Sequence, residues 1–160
     1  MTRRLGLAAI TAALTAACSP LSLFATLSPK DPAMVSARDV AFGPDPRQKL
    51  DVYAPRRIQG AGPAPVVVFF YGGSWDSGRR QDYNWAGKAL ASRGFVTVIA
   101  DYRLYPHVRF PVFLEDGALA VRWTVDHVVQ FGGDPSRIAL VGHSAGAYNA
   151  AMLALDSRYL

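Results

Sequence analysis

Three unbroken apolar runs separated by helical stretches predict an α/β chain with a doubly wound, mostly parallel sheet. The runs are Val66–Tyr71, Phe95–Ala100 and Ile138–Val141. They are rich in β-branched and aromatic residues and lack the polar alternation of a strand with one wet face. That pattern fits strands buried on both sides of a parallel sheet. The alternation of such runs with helix-period segments places helices on both faces.

The elements follow in order. Arg3 and Arg4 precede thirteen uncharged residues, Leu5–Ala17, the basic-then-apolar order of a secretory signal segment. Ala16-Ala17-Cys18 closes it and resembles a bacterial lipoprotein signal, in which the cysteine is lipidated. Thr15 departs from that pattern, which usually has a larger aliphatic residue there; Leu14 stands one position too early. Lipidation at Cys18, ordinary cleaved export and an uncleaved apolar helix all stay open at this point. The first two predict an exported protein, either anchored to a membrane through Cys18, periplasmic or secreted. Residues 18–36 read as a linker with Pro20, Pro29, Pro32 and no periodicity, expected to be poorly ordered. Val40–Phe42 and Leu50–Tyr53 are short strand-like pieces around the turn cluster Gly43-Pro44-Asp45-Pro46. A second loop cluster, Gly60–Pro65, leads into the first buried run.

Gln81–Arg93 reads as a helix stopped by Gly94. Pro111 can open the next, because its missing N–H is not needed in a first turn. Leu114, Ala118, Val121, Val125 and Val128 then recur at helical spacing and predict one apolar face. Gly132-Gly133-Asp134-Pro135 ends that helix. Ala145–Leu155 is Ala-rich and strongly helical in propensity. Residues 37–160 thus predict about five strands and three helices.

Composition narrows the function classes. Of 160 residues, 51% are hydrophobic and 18% charged, which excludes a disordered or low-complexity chain. The single cysteine excludes an internal disulfide. No apolar run reaches the roughly 20 residues of a membrane-spanning helix. The three histidines, His107, His127 and His143, lack metal-ligand spacing, so no metal and no cofactor is expected. The net charge of +5 is diffuse, and removal of residues 1–17 takes two of the positive charges with it. No nucleic-acid partner is expected from such a pattern.

Two motifs carry chemistry. Gly142-His143-Ser144-Ala145-Gly146 is Gly-x-Ser-x-Gly between a buried-strand run and a helical one, the context a nucleophile elbow needs. The serine of such a turn points away from the sheet, and the glycines leave room for the neighbouring strand and helix. The Ala145 N–H would lie at a helix start, where the dipole favours a developing negative charge. Tyr71-Gly72-Gly73-Ser74-Trp75 follows the first buried strand. Its glycines can turn backbone N–H groups toward the same place, because ligands bind at the C-terminal edge of an open α/β sheet.

With these pieces the chain resembles an α/β-hydrolase of the esterase and lipase group related to hormone-sensitive lipase and bacterial feruloyl esterases. Tyr71–Trp75 matches the group's His-Gly-Gly-x-Trp, and Asp101-Tyr102-Arg103-Leu104 follows the next strand. Phe110-Pro111 with Glu115-Asp116, Gly132–Ile138 and Gly142–Gly146 complete the match, from about residue 38 onward. The resemblance implies a small-molecule ester substrate and Ser144 as nucleophile. It also implies an oxyanion hole from the N–H groups of Gly73, Ser74 and Ala145. Tyr71 departs from the group's histidine, which predicts altered loop packing rather than lost activity. Asp101, Tyr102, Arg103 and Asp116 carry over as structural positions. Trp75 and Tyr148 are pocket candidates, although residues of this kind more often serve core or helix packing.

A triad needs a base and an orienting acid, in the fold's order Ser, Asp or Glu, His. After Ser144 the sequence holds one acid, Asp156, and no histidine. The expectation is therefore an N-terminal part of a hydrolase domain, truncated after the nucleophile helix. That part alone would be inactive, with the Ser144 strand at an exposed sheet edge. Alternatives are an amidase or peptidase on the same scaffold, and a non-catalytic surface lipoprotein of this fold.

Overall fold

In the computed structural model, residues 34–56 and 62–160 are described. The signal segment, Cys18 and residues 19–33 of the linker lie outside them. One five-stranded sheet organises the rest. Its strands are β1 (Met34–Ala41), β2 (Lys49–Ala54), β3 (Ala64–Phe70), β4 (Val96–Ala100) and β5 (Gly133–Gly142), in the order β1-β2-β4-β3-β5. The helices are α1 (Asn84–Ser92), α2 (Val112–His127) and α3 (Ala145–Leu155). Among the described residues this matches the expected five strands and three α-helices. β1 begins at Met34, so the linker boundary moves back by three residues.

β3 pairs in parallel with both β4 and β5, as the unbroken runs predict. β1 and β2 form a hairpin across the Gly43–Pro46 turn, and β2 joins β4 antiparallel. β3 and β4 are buried along most of their length, consistent with a two-sided core. Consecutive strand residues point to opposite faces. Phe69 accordingly meets Tyr83, with ring centroids 5.5 Å apart, while Phe70 packs toward Gly117 of α2. α1 lies on β2 and β4, and α2 and α3 lie together on β3 and β5. Helices therefore cover both faces. The connections out of β3 and β4 run to opposite sides of β3, which opens a crevice at the strands' C-terminal ends.

Several boundaries differ from expectation for physical reasons. The helix expected over Gln81–Arg93 opens as a 3₁₀ turn, Arg80–Tyr83, and becomes α-helical only at Asn84. The buried face of α2 runs through Phe113, Leu114, Gly117, Ala120, Val121 and Thr124. Val125 stands 39% exposed, since a helix of 3.6 residues per turn carries it off the packed stripe. β5 starts at Gly133, directly after Gly132 takes a left-handed conformation at φ 81°, and so includes Pro135. Proline is tolerated there because β5 is an edge strand. For the same reason β5 is not buried on both faces: it pairs only with β3, and Val141 is 37% exposed.

Buried ion pairs tie the loops to this sheet. Arg80, 4% exposed, reaches Asp51 at 2.9 Å and also pairs with Asp101 and Asp39. The Asp101 carboxylate accepts the Arg80 backbone N–H as well, at 2.8 Å. Asp116, fully buried on α2, accepts from the Arg103 guanidinium, from the Arg103 N–H and from Gln48 Nε2. A buried charge is tolerable only when so compensated. Asp101, Arg103 and Asp116 are thus structural, as expected.

Candidate active site

The turn from β5 to α3 is shaped by close backbone approach. The first side-chain carbon of any residue at Gly146 would lie 2.1 Å from the Phe70 carbonyl oxygen and 2.5 Å from that of Tyr71. One at Gly142 would lie 2.1 Å from the Gly146 carbonyl oxygen. Nothing but glycine fits at either place. Between them Ser144 takes φ 54° and ψ −122°, a backbone conformation costing a non-glycine residue about 1–3 kcal/mol. Its hydroxyl makes no capping bond to α3, and the residue is exposed.

The glycine loop beyond β3 presses directly on this turn. A side chain at Gly72 would meet both the His143 Nδ1 and the Ser144 Cβ at 2.9 Å. Gly73 at φ 134°, Ser74 at φ 49° and Trp75 at φ 59° carry the loop through left-handed backbone. The Gly73 carbonyl accepts three bonds, from the N–H groups of Asp76 and Ser77 and from Ser77 Oγ, each at 3.0 Å.

These bonds orient the amides. In a trans peptide the carbonyl and the following N–H point in opposite directions. The Gly73 carbonyl faces into the loop, so the Ser74 N–H faces out of it. The Gly72 carbonyl lies against Gly78, which turns the Gly73 N–H outward too. The Ser144 carbonyl accepts from Ala147 and Tyr148 along α3, so the Ala145 N–H leaves the helix end. Among the described residues none of these three N–H groups finds an acceptor within the chain. The arrangement offers free donors beside an uncapped serine hydroxyl.

Side chains from other elements brace the loop, and two of them, Arg47 and Tyr83, carry no signal in the sequence. Arg47 donates from Nη2 to the Tyr71 hydroxyl at 2.8 Å and to the Gly78 carbonyl at 2.9 Å. Its Nε donates to the Tyr102 carbonyl at 2.9 Å. Tyr71 is fully buried and stacks on Tyr102, centroids 4.7 Å apart, while the Tyr102 hydroxyl donates to the Tyr71 carbonyl at 2.7 Å. Burial pushes both phenols well above their ordinary range, so they remain neutral hydrogen-bonding groups. Tyr71, where the resembled group has histidine, thus stands hydrogen-bonded and stacked behind the loop. Tyr83 bonds to both Gly72 and His143. The partners of these residues are 11 to 60 positions away, and no local signal marks them.

The pocket candidates sit together. Trp75 stacks on Phe113 at 5.4 Å and meets Tyr148 edge-on at 5.5 Å. Its indole N–H donates to Asn149 of α3 at 2.9 Å. Trp75 also packs against the core, whereas Tyr148 is 43% exposed.

His127 and Asp156 are engaged elsewhere. His127 bonds through Nδ1 to the Trp123 carbonyl at 2.8 Å and stacks on that indole. Asp156 caps the far end of α3, where the hydrogen-bonded Arg158 lowers its carboxyl to about 2. His107 stands exposed on the loop after β4. Among the described residues no group of three His, Cys, Asp or Glu is placed to hold a metal ion.

Comparisons with known proteins meet this geometry. The BD-FAE family model matches residues 50–159. The esterase LipC of Mycobacterium tuberculosis is 40% identical over 124 residues, covering 77% of this chain and 30% of that protein. Isoprenylcysteine alpha-carbonyl methylesterase ICME of Arabidopsis thaliana is 36% identical over 119 residues, 74% of this chain and 27% of that protein. Among solved structures, esterase B of Lactobacillus rhamnosis, inhibited by a tributyrin phosphonate, aligns with TM-score 0.78 at 25% identity. That alignment covers 96% of this chain and 50% of the other. A bacterial heroin esterase aligns with TM-score 0.73 at 28% identity over 94% and 45%. The chain thus spans under a third of these two curated relatives and about half of these solved structures.

Proposed function

This chain belongs to the BD-FAE family of α/β-hydrolase esterases, and from that premise we propose that its protein hydrolyses a carboxylic ester through an acyl-enzyme on Ser144. One observation carries the reading: an exposed serine, uncapped in a strained turn, against the glycine loop. Ser144 Oγ attacks the ester carbonyl. The carbonyl oxygen becomes an oxyanion, held by the N–H groups of Gly73, Ser74 and Ala145. Such donors act strongly because they are oriented before the charge develops, and each is worth about 10²–10³ in rate. The alcohol leaves, and water releases the acid from Ser144.

The attack needs a base for the serine proton. His127 is held by its own helix, and His143 is bonded to Tyr83. We assign the base and its orienting acid to residues outside positions 34–160. The aromatic cluster of Trp75, Phe113 and Tyr148 would flank the acyl or alcohol group. Export through residues 1–17, with Cys18 as lipidation candidate, belongs to the same proposal and is tested by the mass of the mature N-terminus.

The test of the chemistry uses the full-length protein. A fluorophosphonate probe should label Ser144, and p-nitrophenyl butyrate should be turned over. Ser144→Ala should abolish labelling and reduce kcat/KM by more than about 10⁴-fold, the scale of nucleophile removal. Turnover that survives the substitution would refute the mechanism. Faster cleavage of an anilide than of the ester would favour the amidase reading.

A further inference from the structure

We propose that Tyr83, acting through His143, is a positioning residue that sets the gap between the oxyanion donors and Ser144; this rests on Ser144 being the nucleophile. Tyr83 closes the 3₁₀ turn before α1 and is 3% exposed. Its ring is clamped among Phe69, Tyr71 and Trp85, at centroid distances of 5.5, 6.0 and 6.3 Å. The hydroxyl is thereby placed by the core, not by the loops it touches.

That hydroxyl joins two segments 71 residues apart. It accepts the Gly72 N–H at 3.3 Å and lies 2.8 Å from His143 Nδ1. A phenol has one proton. The oxygen has a second lone pair besides the one that faces Gly72, so the Tyr83–His143 bond forms with either ring tautomer and holds the imidazole in place in both. Burial raises the Tyr83 phenol, against the lowering effect of the Gly72 N–H, so it stays a neutral hydrogen-bonding group.

The consequence follows from what each partner carries. The Tyr71–Gly72 peptide is held at both ends, its carbonyl by the Tyr102 hydroxyl and its N–H by Tyr83. The next two N–H groups along the chain are those of Gly73 and Ser74. His143 is the residue before the nucleophile, and its N–H bonds to the Phe70 carbonyl at 3.1 Å. Tyr83 is therefore a spacer between donors and nucleophile. It touches no reacting atom. Misplacing such a constellation costs rate even where binding is intact.

The experiment is Tyr83→Phe in the full-length protein, assayed on p-nitrophenyl butyrate. The phenyl ring keeps the packing and removes only the bridge. We expect kcat to fall about tenfold, the scale of one lost hydrogen bond, with KM within about twofold. Inhibition by a trifluoromethyl ketone, which forms the oxyanion on Ser144, should weaken by the same factor. A merely structural role would lower the melting temperature and leave that inhibitor's affinity alone. His143→Ala should show the same loss, and the double variant should be no worse than either single one. His143 is exposed, so this variant carries the test if Tyr83→Phe does not fold. Wild-type kcat and inhibitor affinity in these variants, with Ser144→Ala inert, would overturn the positioning role alone. An active Ser144→Ala would instead overturn the esterase reading beneath it.

Discussion

The serine turn and the glycine loop leave adjacent parallel strands at one sheet edge, and both run through left-handed backbone at non-glycine residues. They are held there by different physics. The serine turn is fixed by exclusion: Gly142 and Gly146 let backbone meet backbone at distances that admit no side chain. The glycine loop also excludes side chains, at Gly73 against the Ser77 carbonyl and at Gly78 against the Gly72 carbonyl, but it rests besides on hydrogen bonds with Arg47, Ser77, Tyr83 and Tyr102, most of which come from other elements. Exclusion is all-or-none, since close-packed backbone has nowhere to relax. Bonds can be removed one at a time. On the proposed mechanism, the position of the nucleophile should therefore be brittle, and that of the oxyanion donors graded.

The largest effect should come from the brittle side. Gly146→Ala puts a methyl group into the Phe70 and Tyr71 carbonyls and should cost more than about 4 kcal/mol, with loss of fluorophosphonate labelling. A denaturation midpoint unchanged from wild type would break the contrast. Next comes Arg47→Ala, which takes three donors from behind the loop. It should cost about 2 kcal/mol and lower kcat while the protein still folds and labels at Ser144. Arg47→Lys should not rescue it, because one ammonium cannot span the Tyr71, Gly78 and Tyr102 acceptors as the planar fork does. The smallest effect belongs to Ser77→Ala. It deletes one of three bonds to the Gly73 carbonyl at an exposed position, and should shift stability by less than about 0.5 kcal/mol and kcat by about threefold or less. A loss as large as that of Gly146→Ala would show the loop to be as brittle as the turn.

The two regions were also unequally legible. Gly142–Gly146 is contiguous, and close approach demands glycine in any neighbourhood, so the motif itself announced the turn. The parallel core was legible too, because two-sided burial keeps charged residues out of Val66–Tyr71 and Phe95–Ala100. The braces of the glycine loop were not. Arg47 meets Tyr71 across 24 positions and Tyr102 across 55, and pairings of that range leave no periodicity. In the sequence Arg79-Arg80 is two adjacent like charges with nothing to tell them apart, yet Arg80 is buried among Asp39, Asp51 and Asp101 while Arg79 stays exposed. Which of two neighbouring arginines goes inward is decided by the partners awaiting it in the sheet. Strand order was hidden for the same reason, as β2 finds β4 only through the finished core.

The left-handed backbone of Ser144 has a consequence for how sequences of this fold can drift. Selection for a sturdier chain alone would replace that residue by one at ease with positive φ, such as glycine. A serine there, on the proposed mechanism, sets durability against chemistry. Under that mechanism the chain keeps a small reserve of instability at the atom that attacks, and its tightly packed neighbours supply the stability that lets it do so.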